Sequence, residues 1–249
     1  LGPGITDRFL AQALRRPAAI LVSFPRAGRT WLRVMLAHAI ERIFEAHPRP
    51  PLNLESVARS EPRIPRVIIT SGYLDPRRAT PAEAVRNLEW ADQHRIVLLA
   101  RDPRDIAVSL YFDRAHRGRH FREALPYAGD FQTFLREERG SLRTIVAYYN
   151  AWARAMRARA DFAENVKLVK YEHLHDDPML EFGRLLTFLK LNAAPDFVED
   201  LTRHASFDSV RRMETSGRLG YKPNAEMLSD DRALVLRRGL PGGYMDHFM

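Results

Sequence analysis

The segment AAILVSFPRAGRTWLRVML, residues 18–36, places Arg26, Gly28, Arg29 and Thr30 between an apolar run and a helical pattern. Those residue types suit a bound oxyanion. The N–H groups that open a helix lack intrahelical partners and sit at the positive end of the helix dipole. A glycine lets the backbone approach an anion closely. Two guanidinium groups add charge, and Thr30 adds a hydroxyl in the first turn. The full GxxxxGK[ST] pattern is missing: there is no early glycine, and no lysine precedes Thr30. This stretch alone leaves two readings open, a phosphate cradle and an ordinary strand–turn–helix joint with exposed arginines.

A second stretch, RIVLLARDPRDIAVSLYF, repeats the plan. Arg101 ends an apolar run, and Ser109 lies eight residues later, about two helical turns on. Arg101 could meet an anion at the strand end while Ser109 bonds it from the helix. An ion pair with Asp102 or Asp105 is the competing role for Arg101. A third basic cluster, Arg237-Arg238-Gly239, lies near the C-terminus and taken alone would be a solvated turn.

Regular elements must carry these groups. Four short runs read as strands covered on both faces: Ala18–Phe24, Arg66–Thr70, Arg95–Ala100 and Asn165–Tyr171. Helical patterns separate them. Trp31–Ala46 carries apolar residues at helical spacing, and Thr80-Pro-Ala-Glu83 is a capping box. Asp102 and Asp177, each followed by proline, open two more helices, and Ser141–Ala160 is long and amphipathic. Alternating strands and helices predict a layered α/β fold with a central parallel sheet of four or more strands. In such a sheet ligands sit beyond the carboxyl ends of the strands, where Arg26, Arg29 and Arg101 fall. Met213–Asp230 is polar and rich in Gly and Pro, and reads as a long mobile loop or lid. No repeat or linker divides the 249 residues, so the expectation is one domain over 1–249.

Composition narrows the partners. The net charge of +8 favours anionic ligands: nucleic acid, acidic membrane or a polyanionic small molecule. Much of the arginine also serves to solvate helix faces. With no cysteine, disulfides and thiolate sites are excluded. No apolar run reaches the roughly 18 residues that span a bilayer, and LGPGITDRFL lacks the regions of a signal peptide. The expectation is a soluble, cytoplasmic protein without membrane or nucleic-acid partners, as monomer or homodimer.

Five motifs, in order along the chain, resemble those of sulfotransferases that use 3′-phosphoadenosine 5′-phosphosulfate (PAPS), of the cytosolic or bacterial type. SFPRAGRTW resembles the 5′-phosphosulfate loop, and RDPRDIAVS the 3′-phosphate motif. YEHLHDDP, HASFDSV and RRGLPGGYMDHF resemble the three later segments. The resemblance implies a P-loop-like three-layer α/β fold and a sulfuryl transfer from PAPS to a hydroxyl or amine of a small acceptor. It implies that Arg26, Ala27, Gly28, Arg29 and Thr30 surround the phosphosulfate, with Trp31 by the adenine. Arg101, Ser109, Arg237, Arg238 and Gly239 would hold the 3′-phosphate, and Tyr171 and Phe207 would touch the adenine. Arg26 would neutralise charge on the leaving phosphate as the S–O bond breaks. For Trp31, Tyr171 and Phe207, core packing is the alternative. Sulfuryl transfer needs no metal, and His116–His120 lacks the HExxH pattern.

The pattern departs at several positions. Arg26 stands where lysine is frequent, and Ala27 where serine is usual. Arg29 replaces threonine, Ala205 replaces threonine, and Gly243-Tyr244 replace Asp-Trp. At the second strand the family carries Lys-Thr-His, whose histidine is the general base; here Ile69 and Ser71 stand at the Lys and His positions. A serine hydroxyl is a poor proton acceptor near neutral pH. Either another base serves, with His120 first and His116, Asp75, Glu45 and His47 behind it, or the acceptor needs little help from a base, or the chain binds PAPS with impaired transfer. A P-loop kinase or NTPase is disfavoured by the missing Walker lysine and the lack of an evident Mg²⁺-binding aspartate. A nucleic-acid binder is suggested by charge alone.

Overall fold

A computed structural model describes residues 18–46, 53–72, 79–85, 88–117, 127–191 and 193–248. The order of elements is β1 (Ala19–Val22), α1 (Arg29–Phe44), α2 (Leu54–Ser60), β2 (Val67–Thr70), β3 (Ile96–Ala100), α3 (Pro103–Phe112), α4 (Phe131–Arg136), α5 (Leu142–Arg157), α6 (Phe162–Asn165), β4 (Val166–Lys170), α7 (Tyr171–Asp176), α8 (Pro178–Phe188), α9 (Pro195–His204), α10 (Phe207–Thr215) and α11 (Ala225–Ser229).

The strands form one parallel sheet in the order β2-β1-β3-β4. Leu21 pairs with Ile69 and with Val97, and Leu98 pairs with Leu168. Because β2 and β3 flank β1 on opposite sides, the strand order reverses at β1, the kind of position that binds ligands in open α/β sheets. β1 is wholly buried and β3 nearly so, as strands covered on both faces must be. β4 is not: Val166 and Val169 are inside, but Leu168 is 42% exposed and Lys170 is exposed too. It is one of the two sheet edges, β2 being the other, and Lys167 and Lys170 suit that position.

The helix boundaries follow local chemistry. Asp102 accepts a hydrogen bond from the Arg104 N–H at 2.8 Å, with Pro103 at the first helical position of α3. Asp177 caps α8 through the Leu180 N–H. Thr80 and Glu83 make the reciprocal bonds of a capping box, although the helix they open is only a short 3₁₀ turn, Glu83–Val85. Phe24 is fully buried and meets the Tyr148 ring edge-on at 5.4 Å, which ties the end of β1 to α5. Such a pair contributes about 1 kcal/mol beyond area burial.

The segment expected to be a mobile loop has more structure than its composition suggests. α10 continues to Thr215, and α11 spans Ala225–Ser229 with Asn224 as its cap. Leu219 and Met227 are buried, and apolar anchors of this kind hold a polar segment down.

Candidate functional site

The loop between β1 and α1 is held in an uncommon backbone conformation. Arg26 has φ 74° and Gly28 φ 106°. A left-handed non-glycine residue costs on the order of 1 kcal/mol, and such strain clusters at binding sites. Gly28 is required twice over. Its φ disfavours any side chain, and a Cβ there would lie 2.5 Å from Cδ2 of Tyr171. Gly28 supplies no side-chain cap, and no acidic residue stands in the first turn of α1. The N–H groups and positive dipole end of a 16-residue helix therefore open beside the loop.

Five arginines, Arg26, Arg29, Arg101, Arg237 and Arg238, gather here from three parts of the chain. Arg26 donates through Nε to Ser109 Oγ at 3.0 Å, through one terminal nitrogen to Asp113 Oδ1 at 3.3 Å and through the other to the Val235 carbonyl at 3.0 Å. Arg101 lies over the Tyr171 ring, 4.2 Å from its centroid, and donates to the Leu240 carbonyl. Its pairing with Asp105 is loose, at 3.7 Å, and its buried Nε has no hydrogen-bond partner among the described residues. Arg237 lies over Phe112 at 4.4 Å. Burial, then repulsion from Arg238, Arg26 and Arg101, pushes its pKa down to about 10. It stays charged near neutral pH, but in a field that an anion would relieve. Orphaned Nε and mutually repelling cations are what an anionic ligand would satisfy.

Aromatic rings complete the walls. Trp31 donates its indole N–H to the Ala205 carbonyl at 2.6 Å and meets Tyr171 edge-on at 5.6 Å. Phe207 begins α10 behind the Ser206 cap. Gly239, with φ 69°, lies so close to the Phe207 ring that any Cβ would overlap it. The Tyr171 hydroxyl donates to the Gly239 carbonyl, and burial pushes its pKa up. Packing and pocket lining are thus not alternatives for these rings; each does both.

These groups enclose a cavity of about 690 Å³, within the range that takes a nucleotide-sized ligand. Arg26, Gly28, Arg29, Thr30, Trp31, Arg101, Ser109, Tyr171, Phe207, Arg237, Arg238 and Gly239 all line it. Ala27 does not; it is fully buried in the core. The expected base is another matter. His120, Asp75 and His47 lie outside the described residues. His116 is not in the lining; it stacks on Phe112 and pairs with Asp230 at 3.3 Å. Glu45 caps the far end of α1, some 24 Å from its start by helical rise. Ser71 does line the cavity, at the carboxyl end of β2.

Three acids that the motifs did not single out as site residues matter here. Asp105, 3% exposed, accepts from the Gly242 N–H at 2.8 Å and the Tyr244 N–H at 2.9 Å. It docks the C-terminal segment onto α3. Glu214, fully buried, accepts from the N–H groups of Val235 and Leu236 and from the Tyr221 hydroxyl, and so holds the chain leading into Arg237. Asp113 lines the cavity and meets Arg26. The DPRD motif hints at Asp105; nothing local marks the other two.

The family profile described as "Sulfotransferase domain" matches residues 16–249. The chain is similar to rat sulfotransferase 1 family member D1, at 23% identity over 94% of this chain and 79% of the relative. It is similar to zebrafish cytosolic sulfotransferase 1 at 25%, over 94% and 78%. Among solved structures it resembles mouse sulfotransferase SULT7A1 complexed with PAP, with TM-score 0.57, 22% identity and coverage of 93% and 78%. It also resembles retinol dehydratase in complex with androsterone and the inactive cofactor PAP, with TM-score 0.59, 19% identity and coverage of 94% and 77%. With the profile matched over nearly its whole length, the chain belongs to the PAPS-dependent sulfotransferase family, enzymes that move a sulfuryl group from this nucleotide to a small-molecule acceptor.

Proposed function

We propose that the cavity between β1, β3 and the C-terminal segment is the donor site, and that a hydroxyl or amine of a small acceptor enters beside Ser71. The observation that carries this is the convergence of Arg26, Arg101, Arg237 and Arg238 on one cavity beside an uncapped helix. The donor has two separated anionic ends. The Gly28–Thr30 turn and Arg26 suit the phosphosulfate end. Arg101 with its orphaned Nε, Ser109 and the Arg237-Arg238-Gly239 turn suit the 3′-phosphate. Trp31, Tyr171 and Phe207 suit the adenine.

The chemistry asked of the site is charge neutralisation. As the S–O bond breaks, negative charge grows on the departing phosphate. Arg26, held in a left-handed backbone beside the helix N-terminus, is placed to meet it. In the structure its guanidinium rests on Ser109 and Asp113, so it must turn toward the donor to act. The names of the curated relatives support a cytoplasmic placement, and no helix among the described residues is long and apolar enough to cross a membrane.

The test is sulfuryl transfer from ³⁵S-labelled PAPS to simple phenols. Arg26→Ala should lower turnover about 10²–10³-fold, the range for loss of one transition-state donor, while circular dichroism stays unchanged. Unaltered turnover would remove Arg26 from the mechanism.

A further inference from the structure

We infer that Asp113 is the base that takes the acceptor's proton, a role that rests on the donor-site reading above. The end of β2 offers Ser71 and Gly72 to the cavity, and no histidine lines it among the described residues. Two carboxylates do. Asp105 is nearly inaccessible and commits both oxygens to the N–H groups of Gly242 and Tyr244. Asp113 lies one helical turn beyond Ser109, on the same face of the helix. Its side chain is 14% exposed, so a ligand in the cavity can reach it. It also opens a π-helical turn, Asp113–Arg117, a distortion that often re-aims side chains at functional sites.

The link to Arg26 fixes the position relative to the chemistry. One guanidinium spans Ser109 at 3.0 Å and Asp113 at 3.3 Å. Ser109 stands on the side assigned to the nucleotide. Asp113 therefore lines the cavity 3.3 Å from the arginine assigned to the departing phosphate. In the step, the acceptor oxygen forms a bond to sulfur while its proton passes to an Asp113 oxygen. The bond from sulfur to the 5′-phosphate oxygen breaks, and its electron pair stays on that phosphate, beside Arg26. Asp113 then releases the proton to water. Atoms and charge balance without a further reactant. Its contact with Arg26 keeps the carboxylate partly neutralised until the guanidinium turns to the donor.

Asp113→Asn keeps the shape and an oxygen able to accept from Arg26, but cannot hold the proton. Two acceptors are compared with labelled PAPS at neutral pH: phenol, which is protonated, and pentafluorophenol, which is ionised and needs no base. We expect turnover with phenol to fall at least about 100-fold and turnover with pentafluorophenol to change less than about fivefold. Asp113→Glu, which keeps a carboxylate, should recover part of the phenol rate. Calorimetric affinity for adenosine 3′,5′-bisphosphate should be retained in both variants. An equal loss with both acceptors would make Asp113 a positioning residue for Arg26 and overturn the proposal; so would an Asn variant as active as the parent on phenol. Failure of the unsubstituted protein to bind the bisphosphate is a different result, and would bring down the donor-site reading itself.

Discussion

α1 and α3 both begin at the carboxyl end of a sheet strand, and both face the same cavity, yet their first turns are built in opposite ways. α3 is closed by the protein: Asp102 accepts from the Arg104 N–H, Pro103 removes a donor, and Asp105 stands in the first turn. α1 is left open: Gly28 has no side chain to offer, and no acid follows it. The closed helix serves as a rigid arm that presents side chains, Arg101 at its root and Ser109 and Asp113 farther along. The open helix presents its backbone. An anion-binding turn is thus distinguished from a structural one by what is withheld from the helix N-terminus, as much as by the arginines nearby.

That contrast can be broken at either end. Gly28→Val should have the largest effect, since a β-branched residue is strained at φ 106° and its Cβ would strike Tyr171. We expect affinity for adenosine 3′,5′-bisphosphate to weaken at least about 100-fold, or about 2.7 kcal/mol. Near-normal binding would show that the open N-terminus is dispensable. Asp102→Ala should do the reverse. Loss of the cap should cost about 1 kcal/mol of stability, lowering the melting temperature by roughly 2–4 °C for a chain of this size. Bisphosphate affinity should move less than about threefold, because Asp102 does not line the cavity. A nucleotide-binding defect as large as that of Gly28→Val would erase the distinction between the two helices.

Much of the molecule was legible before folding. Buried parallel strands are continuous apolar runs, and β1 and β3 announced themselves as such. β4 did not announce that it is an edge, because edge position is a property of strand order and not of a strand's own residues. The polar 213–230 stretch looked unstructured because Leu219 and Met227, its anchors, are too sparse to make a pattern. Arg26 and Arg101 could be found one by one, since each follows an apolar strand-like run, whereas Arg237, a solvated turn when taken alone, needed the ordered set of motifs. Asp113 could be found by neither route. Its meaning comes from Arg26, 87 residues away, and no local spacing records that contact. Glu214 is hidden for the same reason: it bonds Val235 and Leu236 across 21 and 22 residues.

The donor site requires one cavity to hold a nucleotide by two anionic ends. Isothermal titration of the unsubstituted protein with adenosine 3′,5′-bisphosphate, repeated as salt is raised, tests it most directly. Saturable binding is expected at one site per chain, weakening steeply with ionic strength as screened arginines lose their grip. Absence of binding heat at low salt, or an affinity indifferent to salt, would contradict it.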